Sequence, residues 1–306
     1  MGRQGQEMLT LQSGDSSLVL APEIGGAIVG WRLGAVPVMR LPAPDALMAG
    51  NVRGLACFPL VPFSNRIAWG RFRWDGVDYA LDRNFGDHPH TIHGVGWKRP
   101  WQVADASPAS ATLALRHDAG GDQARAWPFP FVAEQQFTLT ADALQLRLSM
   151  RNEHHAAAPA GLGWHPHFPL RGAPTLRFSA GQVWLNGADS LPSREEPVPP
   201  DWDHAAGRPV GSATLDNCFA GWDGLAMIDW GDGTGLRIEA DETFRHVVIY
   251  TPPNRPYFCV EPVSHMTDAI NRMDVPGHGL RVLAPGETLN GSVTFRLDAG
   301  SPSIRA

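Results

Sequence analysis

Apolar and polar residues alternate in short runs along most of this chain. In Leu144-Gln145-Leu146-Arg147-Leu148-Ser149-Met150 the alternation is strict, as in a strand with one face buried and the other in water. Similar runs recur at Ser17–Leu20, Ala27–Leu33, Thr112–Arg116, Phe137–Leu139, Leu236–Ala240, His246–Thr251 and Ser292–Leu297. Helical periodicity is scarce. Asp75-Gly76, Gly120-Gly121, Gly231-Asp232-Gly233 and Pro285-Gly286 punctuate the runs as turns. The pattern predicts an all-β, antiparallel fold of sandwich or barrel type. One long polar excursion, Asn186–Ser212, is rich in Pro, Asp and Glu. Strands of the same style flank it, so it reads as a long loop within a single domain, 1–306, rather than a linker. No internal repeat or low-complexity tract stands out.

Composition narrows the partners. The 306 residues are 43% hydrophobic, enough for a sizeable core, and carry a net charge of −6. That balance argues against nucleic acid or an anionic membrane as the main partner. No stretch approaches the roughly 18 to 20 apolar residues of a membrane span. Met1–Gly14 lacks the apolar centre of a signal peptide. Cys57, Cys218 and Cys259 are odd in number and far apart, which suits reduced thiols in a cytoplasmic protein.

Five segments carry candidate chemistry. Tyr257–Val260 reads as a strand with Glu261 at its end, placing Tyr257, Cys259 and Glu261 on one face and Phe258 and Val260 on the other. A carboxylate there is partly desolvated, which raises its pKa and suits it to proton transfer; a structural ion pair is the alternative. Asn65-Arg66 pairs an amide with a planar guanidinium, a combination able to grip hydroxyls or a carboxylate, or simply to form a surface ion pair. His93 precedes Gly94 at a turn, which favours an exposed, aimed imidazole. In Gly163-Trp164-His165-Pro166-His167-Phe168 the two histidines share a face, and the glycines leave room above the sheet for a ligand. Either imidazole serves as a general acid near neutral pH or as a backbone-bonded core residue. Asp216-Asn217 offers acceptors for hydroxyls, or ordinary turn chemistry. Trp69, Trp97 and Trp164 are candidates for stacking on a sugar ring, although most of the 11 Trp read as core.

Taken in order, Asn65-Arg66-Ile67 with Gly70-Arg71-Phe72, His93-Gly94, His165-Pro166-His167-Phe168, Asp216-Asn217-Cys218-Phe219, and Val260-Glu261-Pro262 running to Asp268-Ala269-Ile270-Asn271 resemble the aldose 1-epimerase (galactose mutarotase) family. The resemblance implies a large antiparallel β-sandwich, a sugar substrate in a cleft over one sheet, and α/β anomer interconversion without a cofactor. Carried over by position, it implies Glu261 as general base at the anomeric hydroxyl and His165 as general acid at the ring oxygen. It implies that His93 assists, that Arg66 and Asp216 hold hydroxyls, and that Asn65 contributes. The family has Tyr where this chain has His167, so two imidazoles are available to the ring oxygen. Three rival readings stand beside it. A hexose-6-phosphate 1-epimerase needs cations for phosphate, with Lys98 and Arg99 as the local candidates. A non-catalytic carbohydrate-binding protein on this fold needs no acid–base pair. A metal enzyme would draw on His88, His90, His165 and His167, against which stand their irregular spacing and the lack of a nearby carboxylate. The expectation is no metal; monomer and homodimer are both open.

Overall fold

A computed structural model describes residues 7–299, so part of the N-terminal reading, at residues 1–6, lies outside the described residues. The strands pair almost wholly antiparallel into two large sheets. One has nine strands, in the order Gln102–Ala106, Ser110–His117, Phe131–Leu139, Ala143–Asn152, Thr288–Ala299, Thr234–Ala240, Leu225–Asp229, Thr175–Phe178 and Arg208–Pro209. The other runs Pro192–Pro197, Gln182–Asn186, Asp216–Ala220, His246–Tyr250, Tyr257–Val263, Gly163–Trp164 and Pro59–Leu60, with His167–Pro169 also paired to Tyr257–Val263.

The alternating runs form these sheets because one side of each strand faces the core. Along Phe131–Leu139 every second residue, from Phe131 through Ala133, Gln135 and Phe137 to Leu139, is buried, and most of the others are exposed. The two sheets meet across an aromatic layer. Phe137 lies 6.2 Å from Trp164 and Phe295 lies 6.2 Å from Phe168, ring centre to ring centre. The architecture is therefore a sandwich, matching the all-β antiparallel expectation. Trp31, Trp97, Trp101, Trp127, Trp164, Trp222 and Trp230 are fully buried, each ring contributing roughly 2–3 kcal/mol of apolar burial.

Two local predictions resolve cleanly. Asp75 (φ 46°) and Gly76 (φ 78°) turn the hairpin Arg71–Trp74/Val77–Ala80, positive φ at both central residues being what a tight hairpin needs. Asn186–Ser212 is more than a loop: Pro192–Pro197 adds an edge strand beside Gln182–Asn186, and Arg208–Pro209 pairs with Thr175–Leu176. The charges of Arg194, Glu195 and Glu196 hid that strand from a hydrophobic pattern. They occupy an exposed sheet edge, where charge discourages pairing with another chain. Among the described residues no helix is long and apolar enough to cross a membrane.

Candidate active site

The smaller sheet turns one face to the core and the other to a cleft of about 830 Å³, within the usual range for small-molecule sites. Its central strand, Tyr257–Val263, is covered on both faces. Phe258 packs on Phe168 at 5.8 Å on the core side, while Tyr257 and Glu261 line the cleft. Glu261 is 3% exposed. The alternation expected for Tyr257, Cys259 and Glu261 holds.

The chain bends between Gly163–Trp164 and His167–Pro169, and His165 sits in the bend. Both histidines reach the cleft while Trp164 and Phe168 point to the core. Their rings stack at 4.6 Å with 12° between planes. His165 Nε2 stands 3.3 Å from Glu261 Oε1. His167 Nδ1 lies 3.2 Å from the Ala56 carbonyl oxygen. A carbonyl only accepts, so the proton of neutral His167 sits on Nδ1 and its other nitrogen has none to give. His165 Nδ1 is buried without a partner. The glycines do not leave room for a ligand. A Cβ on Gly161 would fall 2.1 Å from the His265 ring, and one on Gly163 would fall 2.9 Å from Val263 Cγ1. They admit the neighbouring histidine and strand instead.

His93 and Gly94 both have positive φ, 59° and 68°. A Cβ on Gly94 would lie 2.3 Å from the Val61 carbonyl oxygen, so this turn requires glycine. The turn aims His93 as expected, but the ring is half-buried rather than exposed. The Asn65 backbone N–H donates to His93 Nδ1 at 3.1 Å, which leaves the proton on Nε2. The His93 ring meets His165 edge-on at 5.3 Å. Arg66 donates from Nη2 to Asp216 Oδ2 at 2.9 Å and from Nη1 to Asn65 Oδ1 at 3.0 Å. Asp216 begins a strand rather than a turn, and Asn217 is a structural neighbour that donates to the Trp184 carbonyl.

Burial dominates the electrostatics. It lifts the Glu261 carboxyl well above the usual carboxylate range; nearby Asp216 adds to this and Arg66 opposes it. Burial, with the charges of His167 and Arg40, pushes His165 well below the ordinary histidine value. His167 and His93 move the same way, also mainly through burial. The His165–Glu261 pair therefore favours holding one proton between its two groups.

The remaining histidines divide by role. His90 is fully buried, accepting at Nδ1 from the Trp69 N–H at 3.0 Å and facing the Asp189 carbonyl through Nε2 at 2.9 Å. It is a structural residue, and the group His88, His90, His165 and His167 does not form one cluster. His165, His167 and Cys259 do place ligand atoms within 4.8 Å of one another. The stacked rings hold their lone pairs in two nearly parallel planes rather than aiming them at one point, and burial raises the Cys259 thiol pKa, which favours the protonated form. Of the tryptophans proposed as sugar platforms, Trp164 faces the core, Trp97 is 1% exposed, and Trp69 is exposed but lies outside the cleft lining.

Three residues that sequence reasoning missed also line the cleft: Arg40, Arg53 and Arg255. Lys98 and Arg99, the basic residues singled out from the sequence, are used elsewhere. Lys98 bonds the Asn84 carbonyl over the Trp97 ring, and Arg99 meets His117. Nothing in Met39-Arg40-Leu41 marks a site; only the meeting of distant segments does.

Comparison with known proteins places the chain in a family. The family model for aldose 1-epimerase matches residues 7–296. An uncharacterised Escherichia coli K12 protein, YphB, is 31% identical over 94% of this chain and 98% of its own length. A crystal structure from Escherichia coli K12, named provisionally as an aldose 1-epimerase, superposes with a TM-score of 0.86 at 31% identity, covering 96% of this chain and 99% of that one. A galactose mutarotase-like protein from Clostridium acetobutylicum shares the fold, with a TM-score of 0.86 at 19% identity over 95% of both chains. The chain belongs to the aldose 1-epimerase family.

Proposed function

We propose that the protein interconverts the α and β anomers of an aldose by general acid–base opening and closing of the sugar ring. One observation carries this reading: the buried 3.3 Å approach of His165 Nε2 to Glu261 Oε1 at the cleft floor. Mutarotation removes a proton from O1 and delivers one to the ring oxygen. Both oxygens are bonded to the same carbon, so the base and the acid must stand side by side, as these two groups do.

The pair's one proton rests on Glu261 and crosses the 3.3 Å contact to His165 in the reactive state, where Glu261 takes the O1 proton while His165 gives its Nε2 proton to the ring oxygen. The bond from C1 to the ring oxygen breaks and C1 becomes an aldehyde carbon. Rotation about C1–C2 presents the other face, and the steps reverse: Glu261 gives its proton to the aldehyde oxygen while His165 recovers its own from the hydroxyl that closes the ring. His167, with its proton committed to the Ala56 carbonyl, supports His165 rather than replacing it. His93 offers an Nε2 donor beside His165. The coupled Arg66, Asn65 and Asp216 hold hydroxyls. The donor and acceptor are each worth roughly 10²–10⁴-fold, enough to drive the reaction with protein groups alone.

Polarimetry or exchange NMR on freshly dissolved anomers from a panel of aldoses tests the proposal. Metal-stripped protein is expected to accelerate equilibration of at least one. Sugar binding without acceleration would leave a binding protein, and activity restored only by added metal would replace the acid–base mechanism.

A further inference from the structure

We infer that the aldose taken by this cleft carries an anionic group, a carboxylate or a phosphate, at the C6 end of its ring, held by Arg40 and Arg53. The inference rests on the anomer-interconverting reading of the site. In a chain of net charge −6, this cleft is lined by Arg40, Arg53, Arg66 and Arg255 against only Asp216 and Glu261. Asp216 is engaged with Arg66 at 2.9 Å. Among the described residues no carboxylate pairs with Arg40, Arg53 or Arg255.

Arg40 is held in place. Its Nε donates to the Leu55 carbonyl at 2.9 Å, its Nη2 bonds the Leu55 and Arg53 carbonyls, and the guanidinium stacks 4.4 Å over the Tyr257 ring. Arg53 lies 4.3 Å over the Phe85 ring. A partly buried, fixed cation without a counter-charge is costly and is relieved by an anionic ligand.

Sugar stereochemistry supplies the position. In a pyranose the ring oxygen joins C1, which bears O1, to C5, which bears C6. With Glu261 at O1 and His165 at the ring oxygen, C6 extends past His165 on the side away from Glu261. There His167 stacks on His165, Tyr257 meets His167 at 5.0 Å, and Arg40 covers Tyr257. The charges of Arg40 and Arg53 act on His165, whereas those acting on Glu261 come from Asp216 and Arg66.

The test compares kcat/KM for glucose and galactose with that for glucuronate, galacturonate and glucose 6-phosphate. At least one anionic sugar is expected to exceed its neutral parent by about tenfold or more. The uronates and the phosphate ester tell the two anions apart. Raising ionic strength from about 0.01 M to about 0.15 M should raise KM for the preferred anionic sugar more than for its parent. Arg53→Gln and Arg40→Met should each lower the anionic-to-neutral ratio by roughly tenfold. Arg40 also braces backbone, so Arg53→Gln on an exposed side chain decides the matter if Arg40→Met does not fold. Equal or better use of the neutral parents, or an unchanged ratio in folded Arg53→Gln, overturns the inference. If the protein turns over no sugar at all, the catalytic reading fails by itself. Calorimetric titration with glucuronate and glucose 6-phosphate then still decides: salt-sensitive binding weakened by Arg53→Gln sustains the inference, and its absence overturns it.

Discussion

Glu261 is 3% exposed and, among the described residues, makes its one close charged approach to His165, so at this site the two residues act as a unit. Glu261→Gln and His165→Asn should each lower kcat by roughly two to four orders of magnitude. The double variant should lose less than the sum of the single losses in log units, measured by polarimetry under identical conditions. The pH dependence follows from the one-proton state. A second proton joins the pair only below the ordinary histidine value of 6.5, because burial disfavours imidazolium. The shared proton leaves only above the ordinary carboxylate value of 4.5, because burial disfavours the anion. The rate profile should be bell-shaped between limbs that belong to the pair, and Glu261→Gln should erase one of them. A profile that Glu261→Gln leaves unchanged contradicts the assignment. Arg66→Ala should raise KM severalfold with less than about 1 kcal/mol lost in stability, since Asp216 is 41% exposed and such pairs hold little folding energy. Glu261, His165 and Arg66 were legible as residues of one cleft because the ordered set of motifs, each weak alone, singles them out together. Arg40 and Arg53 were not, because neither motif nor spacing announces a guanidinium that finds Leu55 and Tyr257 only after folding.

Strands with alternating burial were read almost to the residue: Thr112–Arg116 lies inside Ser110–His117 and Leu144–Met150 inside Ala143–Asn152, while Ala27–Leu33 was matched at both ends although its first five residues are all buried. Tyr257–Val263 was read short because Glu261-Pro262 reads as a strand end, whereas the strand runs on through Pro262, opposite Val247, to Val263. The glycines of Gly161-Leu162-Gly163 were misread for another reason: the space above Gly161 is filled by His265, about a hundred residues later in the chain. His265 Nε2 accepts from the Ser64 N–H at 3.1 Å, tying the segment just after the strand that carries Glu261 to the turn before Asn65-Arg66. Gly161→Ala should therefore cost roughly 1–3 kcal/mol by denaturant titration, through displacement of that ring. Burial depresses His265 and His246 to about 4, against 6.5 when unfolded. The unfolded chain then binds more protons between those values, so their stabilisation is complete above 6.5 and is lost as pH falls toward 4. Each accounts for roughly 3 kcal/mol across that interval. Unfolding free energy should drop over that range, and His265→Gln should flatten the drop; an unchanged slope would remove His265 from the account.

At the scale of the whole molecule, the all-β sandwich was legible because alternation and turns recur throughout the chain, while sheet order was not, because nothing local records which strands become neighbours. The cleft is a product of that order. His165 and Glu261 stand 96 positions apart, Arg66 and Asp216 are 150 apart, and Ser64 meets His265 across 201. The eight-stranded sheet supplies Asp216 and Glu261 from two of its strands, His165 sits in the bend between two others, and the separate pair Arg66–Ile67/Thr91–Ile92 brings in Arg66. This has a kinetic consequence. Closing loops of such length precedes any reward from the contacts they permit, so a chain assembled this way folds slowly for its size. Catalytic competence then cannot emerge piecemeal: a refolding chain with most of its strands formed but the central one undocked has neither acid opposite base nor cation opposite substrate. On dilution from denaturant, recovery of sugar turnover should coincide with the slowest tryptophan fluorescence change rather than track the earlier ones.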